Sequence, residues 1–199
     1  MTTSYAAIPQ VVLTKPIAIK QPYNNYEDEL DEQSPALKVM TDLGHVRPAT
    51  THASASLKKA NRQMIERAVR MLFVVDEDEQ EQLQGIITSY DVLGEKPVKH
   101  MQRVGYSSDE ICVKDLMTPV DMIQVLDHSE VEFSQVGNLI ATLKRSGRRH
   151  ALVAQRQEDG SRIISGIFSL SHINKLMNTQ VEVVEIANTF AEVEYALHH

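Results

Sequence analysis

Gly85 to Leu93 reads GIITSYDVL, and Gly166 to Asn174 reads GIFSLSHIN. From Gly85 to Gly166 the offset is 81 residues, and both stretches share a glycine, an apolar pair, a hydroxyl residue and a later apolar position. A second pair lies upstream: LFVVD (Leu72 to Asp76) and ALVAQ (Ala151 to Gln155), from 72 to 151, an offset of 79. Two nearly equal offsets mean two copies of one unit with drift in loop length, so the chain is a tandem repeat before it is anything else.

The copies agree in detail. In the first, Leu57, Ala60, Met64, Ala68 and Met71 recur at spacings of three and four, which predicts an amphipathic helix capped by Ser54 or Ser56. In the second, Phe133, Val136, Ile140 and Leu143 form the equivalent stripe, Ser129 and Glu132 have capping-box spacing, and Gly147 is the stop signal. LFVVD, the acidic turn from Glu77 to Glu81 and LQGIIT predict two strands joined by a polar loop; ALVAQ, RQEDGSR and IISGIFS repeat that order. A short helix follows each pair, ending near Gly94 and near Asn178. Leading segments also match: SPALKVMTDLGHVRP, with Ser34 as cap and Pro35 at the first helical position, parallels VKDLMTPVDMIQV, and each could add an edge strand.

The expected fold is therefore α+β, a sandwich of two repeats packed sheet against sheet, because neither unit alone carries enough apolar surface for a secure core. The organisation reads as an extended N-terminal arm (1–33), repeat 1 (34–94), a linker (95–112), repeat 2 (113–178) and a C-terminal extension (179–199). Pro9, Pro16, Pro22 and the run EDELDE make the arm either a solvated tail or a partner contact. The stripe Ile186, Phe190, Val193 and Leu197 in the extension reads as core or dimer surface. Lys96, Lys99, His100 and Arg103 read as a solvated linker.

Composition narrows the function. Formal net charge is -7, which argues against duplex nucleic acid as a partner, and no apolar run reaches the ~18 residues of a membrane span. The first residues lack the early positive charge of a secretory signal, so a cytoplasmic location is expected. Cys112 is the single cysteine, read as a small apolar residue opening a strand or helix, and supplies neither an internal disulfide nor a metal pair. No Walker glycine loop, nucleophile elbow or His-Glu-x-x-His zinc pattern is present, so no enzyme is expected.

These motifs in this order resemble the CBS (cystathionine-beta-synthase-type) repeat: an Asp-Leu-Met-Thr-Pro lead, an amphipathic helix, a strand hairpin, then Gly-apolar-apolar-Thr/Ser-x-x-Asp turning into a final helix. Two copies span about residues 35 to 178. The resemblance implies a Bateman module that binds an adenosine-containing ligand (AMP, ADP, ATP or S-adenosylmethionine), forms a homodimer and regulates a separate partner protein.

The ligand would need partners for its ribose, its phosphates and its base. Thr88 and Asp91 lie three apart where a strand becomes a helix, so a carboxylate that accepts from both ribose hydroxyls and a hydroxyl that meets phosphate fit there. The alternative is that Thr88 or Ser89 caps the helix with Asp91 assisting in its first turn. In the second repeat Ser169 keeps the hydroxyl, but His172 stands in the aspartate position and lacks two acceptor oxygens. The resemblance assigns Arg148, Arg149 and His150 to the phosphates, with Arg70 at the matching first-repeat position; the alternative is positive charge favoured at a helix C-terminus. Val46 or Val120 would meet the base.

Overall fold

The computed structural model describes residues 30–77, 82–105 and 110–183. The expected arm up to residue 29, residues 78–81 of the acidic turn and the stripe from Ile186 to Leu197 lie outside the described residues.

In chain order the elements are β1 (Thr41–Asp42), β2 (Thr50–His52), α1 (Leu57–Glu66), β3 (Met71–Val75), β4 (Leu83–Thr88), α2 (Ser89–Leu93) and α3 (Lys96–Val104). The second copy follows with α4 (Val113–Leu116), β5 (Thr118–Pro119), β6 (Val125–Asp127), α5 (His128–Glu132), α6 (Val136–Ser146), β7 (His150–Arg156), β8 (Arg162–Ser169) and α7 (Leu170–Met177). They build two four-stranded sheets, β2-β3-β4-β5 and β1-β8-β7-β6. The central hairpins β3/β4 and β7/β8 are antiparallel. β2/β3 and β6/β7 are parallel, and a parallel pair needs a helical crossover, here α1 in one copy and α5–α6 in the other.

β3 is buried along its whole length, as a strand covered on both faces should be. Leu72 and Val74 pack with Ala60, Met64 and Ile87 beneath the helices of the first sheet. Met71, Phe73 and Val75 turn the other way and meet Leu152, Ile164 and Ile167 of the opposite sheet. The sandwich thus closes sheet against sheet, as the pattern predicted.

The leading segments add edge strands, but each crosses to the other repeat. β1 pairs antiparallel with β8 (Thr41↔Ile167, Asp42↔Gly166), and β5 pairs antiparallel with β4 (Gly85↔Pro119, Ile86↔Thr118). The exchange carries core residues with it. Ala36 and Val39 are buried among Val136, Leu143 and Phe168, whereas Val113 is buried among Ala60, Leu72 and Ile87. Each sheet is therefore finished by the other repeat's chain.

Helix limits follow local chemistry. Ser56, not Ser54, caps α1, its hydroxyl accepting from Lys59 N–H at 3.2 Å. α1 stops before Ala68, which sits at φ 52°, and Met71 already belongs to β3, so the last two members of that stripe are not helical. Ser34 does not cap a helix: its hydroxyl donates to Asp31 at 2.9 Å, and Pro35 is the N-cap of a single 3-10 turn, Ala36–Val39. The expected Ser129/Glu132 box is replaced by two helices. Asp127 caps α5, Gln135 and Asn138 box α6, and Phe133 between them is 89% exposed. The break is imposed by the leading segment, whose Ala36 N–H donates to Ser134 O at 2.9 Å while Val136 N–H donates to Ser34 O at 2.9 Å. Gly147 ends α6 at φ 62°, a left-handed position that glycine takes without strain. Cys112 is half-buried at the N-cap of α4.

Candidate functional site

A cleft of about 390 Å³ opens at the start of α2. It gathers Thr88 and Asp91 with Arg70, Arg148, Arg149 and His150, joined by Lys96 from α3 and Thr118 from the exchanged β5. The basic residues ahead of β7 thus meet the Thr88–Asp91 turn of the other repeat. Topology explains the meeting: Gly147 ends α6 at the cleft wall, and Arg148 to His150 follow it at the mouth of the sandwich.

Thr88 and Asp91 form a reciprocal cap. The Thr88 N–H and hydroxyl donate to Asp91 Oδ2 at 2.8 and 2.6 Å, and Asp91 N–H donates to Thr88 Oγ1 at 3.4 Å. The other oxygen, Oδ1, accepts from the Lys96 ammonium at 2.6 Å. Asp91 is 4% exposed, so this carboxylate is buried, paired and hydrogen-bonded, the condition under which a buried charge is tolerated. The capping alternative describes this geometry; a ribose that placed both hydroxyls on Oδ1 would have to displace Lys96 from it.

The basic side has its own electrostatics. Arg70 and Arg149 are exposed and Arg148 and His150 half-buried. Burial, then the charges of Arg149 and Arg70, push His150 down to about 4, against a smaller opposing pull from Asp91. His150 is therefore neutral at physiological pH, able to donate from one nitrogen and accept at the other. The folded state binds fewer protons on this residue than the unfolded chain, so its contribution to stability is present above the ordinary histidine value and is lost as pH falls from about 6.5 toward 4. Urea titrations of wild type and His150→Gln at pH 7.5 and 5.5 should show a smaller acid loss in the variant. Equal losses would place the acid sensitivity elsewhere.

The second repeat's matching pair is not part of this cleft. Ser169 is the N-cap of α7, but its hydroxyl bonds Ser171 at 2.8 Å rather than a backbone amide, and His172 is exposed. With imidazole in place of carboxylate the reciprocal cap of α2 has no counterpart in α7. Val46 and Val120, exposed at 50% and 48%, are also absent from the cleft wall. Its apolar surface comes from Ile86, Tyr90 and Leu93 instead.

Sequence reasoning missed Lys96, Thr118 and Tyr90. Lys96 was legible: Pro97 near a helix start, Val98, Met101 and Val104 at spacings of three, and Gly105 at the left-handed C-cap mark α3 where a linker was expected. Thr118 depends on the exchange of β5, which sequence spacing does not encode.

A second cleft, of about 440 Å³, is lined by Asp127, His128, Ser129, Glu132, Gln155 and Arg156. Its acidic groups are engaged locally: the Ser129 hydroxyl donates to Asp127 at 2.7 Å, and Glu132 lies 3.6 Å from His128 Nε2. Among the described residues no group of three or more His, Cys, Asp and Glu could hold a metal ion, and no helix is long and apolar enough to cross a membrane.

Two sandwiched sheets with exchanged edge strands, and a cleft where a strand turns into a capped helix, define a tandem α+β repeat pair. The family model for the CBS domain matches residues 37–97, which cover the first repeat from its leading segment to the start of α3, and the fold of the two repeats together is similar to that of a solved CBS domain pair. An uncharacterized conserved protein from Pyrococcus horikoshii is 23% identical over 78% of this chain and 100% of its own, with a TM-score of 0.52. The CBS domain pair of protein MJ0100, solved in complex with 5'-methylthioadenosine and S-adenosyl-L-methionine, is 18% identical over 73% of this chain and 96% of its own, with a TM-score of 0.50. No curated protein sequence matches the chain.

Proposed function

We propose that this protein is a regulatory module that binds an adenosine-containing ligand (AMP, ADP, ATP or S-adenosylmethionine) in the cleft at α2 and, as a homodimer, passes its occupancy to a separate partner protein, with no reaction of its own. The observation that carries this reading is the convergence of Arg70, Arg148, Arg149 and His150 from both repeats on the Thr88–Asp91 turn. Guanidinium forks suit phosphate oxygens, and Asp91 supplies the acceptor for a ribose once Lys96 yields Oδ1. Ile86, Tyr90 and Leu93 offer the base a partly apolar wall. The CBS pair with 5'-methylthioadenosine and S-adenosyl-L-methionine bound supports the choice of adenosyl ligands.

A second reading is a module of the same fold whose clefts hold no ligand. It is favoured by the engagement of Asp91 with Thr88 and Lys96 and by His172 in the second repeat.

Native mass spectrometry of the purified protein, followed by calorimetric titration with AMP, ADP, ATP and S-adenosylmethionine, separates the two. The first reading expects a dimer mass and saturable binding; a species at 22.4 kDa that takes up none of the four would leave the second. Within the first reading, Arg149→Ala should weaken ADP by about 1.5–3 kcal/mol, the worth of hydrogen bonds to a charged group, and leave adenosine nearly unchanged. Equal losses for both ligands would remove Arg149 from the phosphate site.

A further inference from the structure

Lys96 is the first residue of α3, and its ammonium lies 2.6 Å from Asp91 Oδ1 inside the cleft, with side-chain exposures of 23% and 6% for the two partners. This is not a surface pair of negligible weight. Separating two partly dehydrated charges is unfavourable unless each finds a new partner. The remaining Asp91 oxygen is already held by the Thr88 amide and hydroxyl. Oδ1 has one lone pair beyond the one Lys96 uses, so a ligand that places both vicinal hydroxyls on it must displace the ammonium. Hydroxyl groups can replace its hydrogen bond but not its charge.

The displaced ammonium has few places to go. Its stem is anchored at the cleft wall, and the other charged side chains lining the cleft besides Asp91 are Arg70, Arg148 and Arg149, all of its own sign. Water remains, or an anion that arrives with the ligand. A phosphate group meets that need, because the flexible four-carbon stem lets a lysine move to a nearby point charge. A neutral nucleoside brings nothing to the freed ammonium, and a sulfonium adds a further positive charge.

We infer that Lys96 is the residue that selects the ligand's charge: it guards Asp91 in the empty cleft, admits anionic nucleotides whose phosphates receive it, and disfavours neutral and cationic adenosyl compounds. The inference rests on the adenosyl reading of the cleft and goes beyond it in naming anionic nucleotides as the ligand class and Lys96 as the discriminator. It also gives ligand binding a mechanical consequence, since moving Lys96 releases the polar tether at the start of α3, a helix with no buried residue.

Calorimetric titration of adenosine, 5'-methylthioadenosine, S-adenosylmethionine, AMP and ADP into wild type, Lys96→Met, Lys96→Gln and Lys96→Arg tests the assignment. Lys96→Met removes the charge and keeps the stem; Lys96→Gln keeps a hydrogen bond to Asp91 should the methionine variant fold poorly. With Lys96→Met, adenosine and 5'-methylthioadenosine should bind at least about tenfold more tightly than in wild type, roughly the worth of one charge-assisted hydrogen bond no longer broken, and with Lys96→Gln, whose neutral hydrogen bond must still be broken, they should gain by a smaller factor. ADP should change by less than about threefold, because the loss of a phosphate partner offsets the gain at Asp91. Its preference over adenosine therefore collapses, whereas Lys96→Arg retains it. A parallel shift of ADP and adenosine, or unchanged adenosine affinity in the two neutral variants, would overturn the role of Lys96 while leaving the adenosyl site standing. Failure of every compound to bind any of the four proteins would overturn the adenosyl reading itself, and the inference with it.

Discussion

Asp91→Ala is expected to lower the stability of the ligand-free protein by about 2–4 kcal/mol, counting a lost helix cap and an ammonium left without its buried partner. Three groups lose their acceptor at once: the Thr88 N–H, the Thr88 hydroxyl and the Lys96 ammonium. The Lys96 side chain is 23% exposed, so water recovers part of the ammonium's solvation and the effect stays below that of a fully buried ion pair. Asp91→Asn should cost less, because the side-chain carbonyl can still accept from Thr88 N–H while the charge at Lys96 goes unanswered. Urea denaturation of the three proteins without ligand measures both steps. A loss under about 0.5 kcal/mol for Asp91→Ala, the size of an ordinary surface substitution, would mean that the cap and the ion pair contribute little. The result also governs how binding data are read, since an Asp91→Ala protein that loses nucleotide affinity has lost the start of α2 along with any ribose contact. Conservative changes at Lys96 and Arg149 separate ligand contacts from helix integrity where Asp91 cannot.

Much of this architecture is written in periodicity. β3, β4, β7 and β8 fall where LFVVD, LQGIIT, ALVAQ and IISGIFS place them, because strands buried on one or both faces show themselves as apolar runs bounded by polar turns. Gly147 and Asn178 stop α6 and α7 through left-handed C-caps that the sequence signals directly. The exchanged strands are another matter. β1 and β5 have two residues each, too few for any alternation, and their partners are chosen by space left in a distant strand. Phe133 misled for a related reason: its spacing fits the α6 stripe, but the backbone at Ser134 and Val136 is claimed by residues 34 and 36.

The candidate site was half legible. Thr88, Asp91, Arg70, Arg148, Arg149 and His150 can be named from the repeat and its resemblance, and the fold brings all six to one cleft. The pairing of Asp91 with Lys96 was not legible, since a lysine five residues on reaches back only if α3 starts where it does. Ser169 and His172 were named on repeat symmetry alone. Symmetry of the backbone did not extend to chemistry there, because a serine and an imidazole do not rebuild the reciprocal cap.

The glycine that opens each repeated motif should prove unequal under the same substitution, with Gly85→Ala costing about 1–3 kcal/mol of stability, the range for overpacking a filled site, and Gly166→Ala distinctly less. A Cβ on Gly85 would lie 2.5 Å from the Thr118 carbonyl oxygen, 3.1 Å from Met117 Sδ and 3.3 Å from the Pro119 Cα. Two of those three neighbours are backbone, and they belong to β5, which Gly85 and Ile86 hold in register. On its other side Gly85 is paired with Val74 of β3, whose side chain is fully buried, so β4 cannot retreat. The added methyl must therefore push β5 away, loosening the strand exchange and shifting Thr118 at the cleft wall. At Gly166 the three nearest atoms to an added Cβ would all belong to the side chain of Met40, whose three rotatable bonds let it shift where backbone cannot. Chemical denaturation of the two variants gives the ranking, and titration of the Gly85→Ala protein with ADP reports whether the movement reaches the cleft. Equal costs, or a larger cost at Gly166, would show that the close passage of the exchanged strand's backbone is not what requires glycine at the head of the motif.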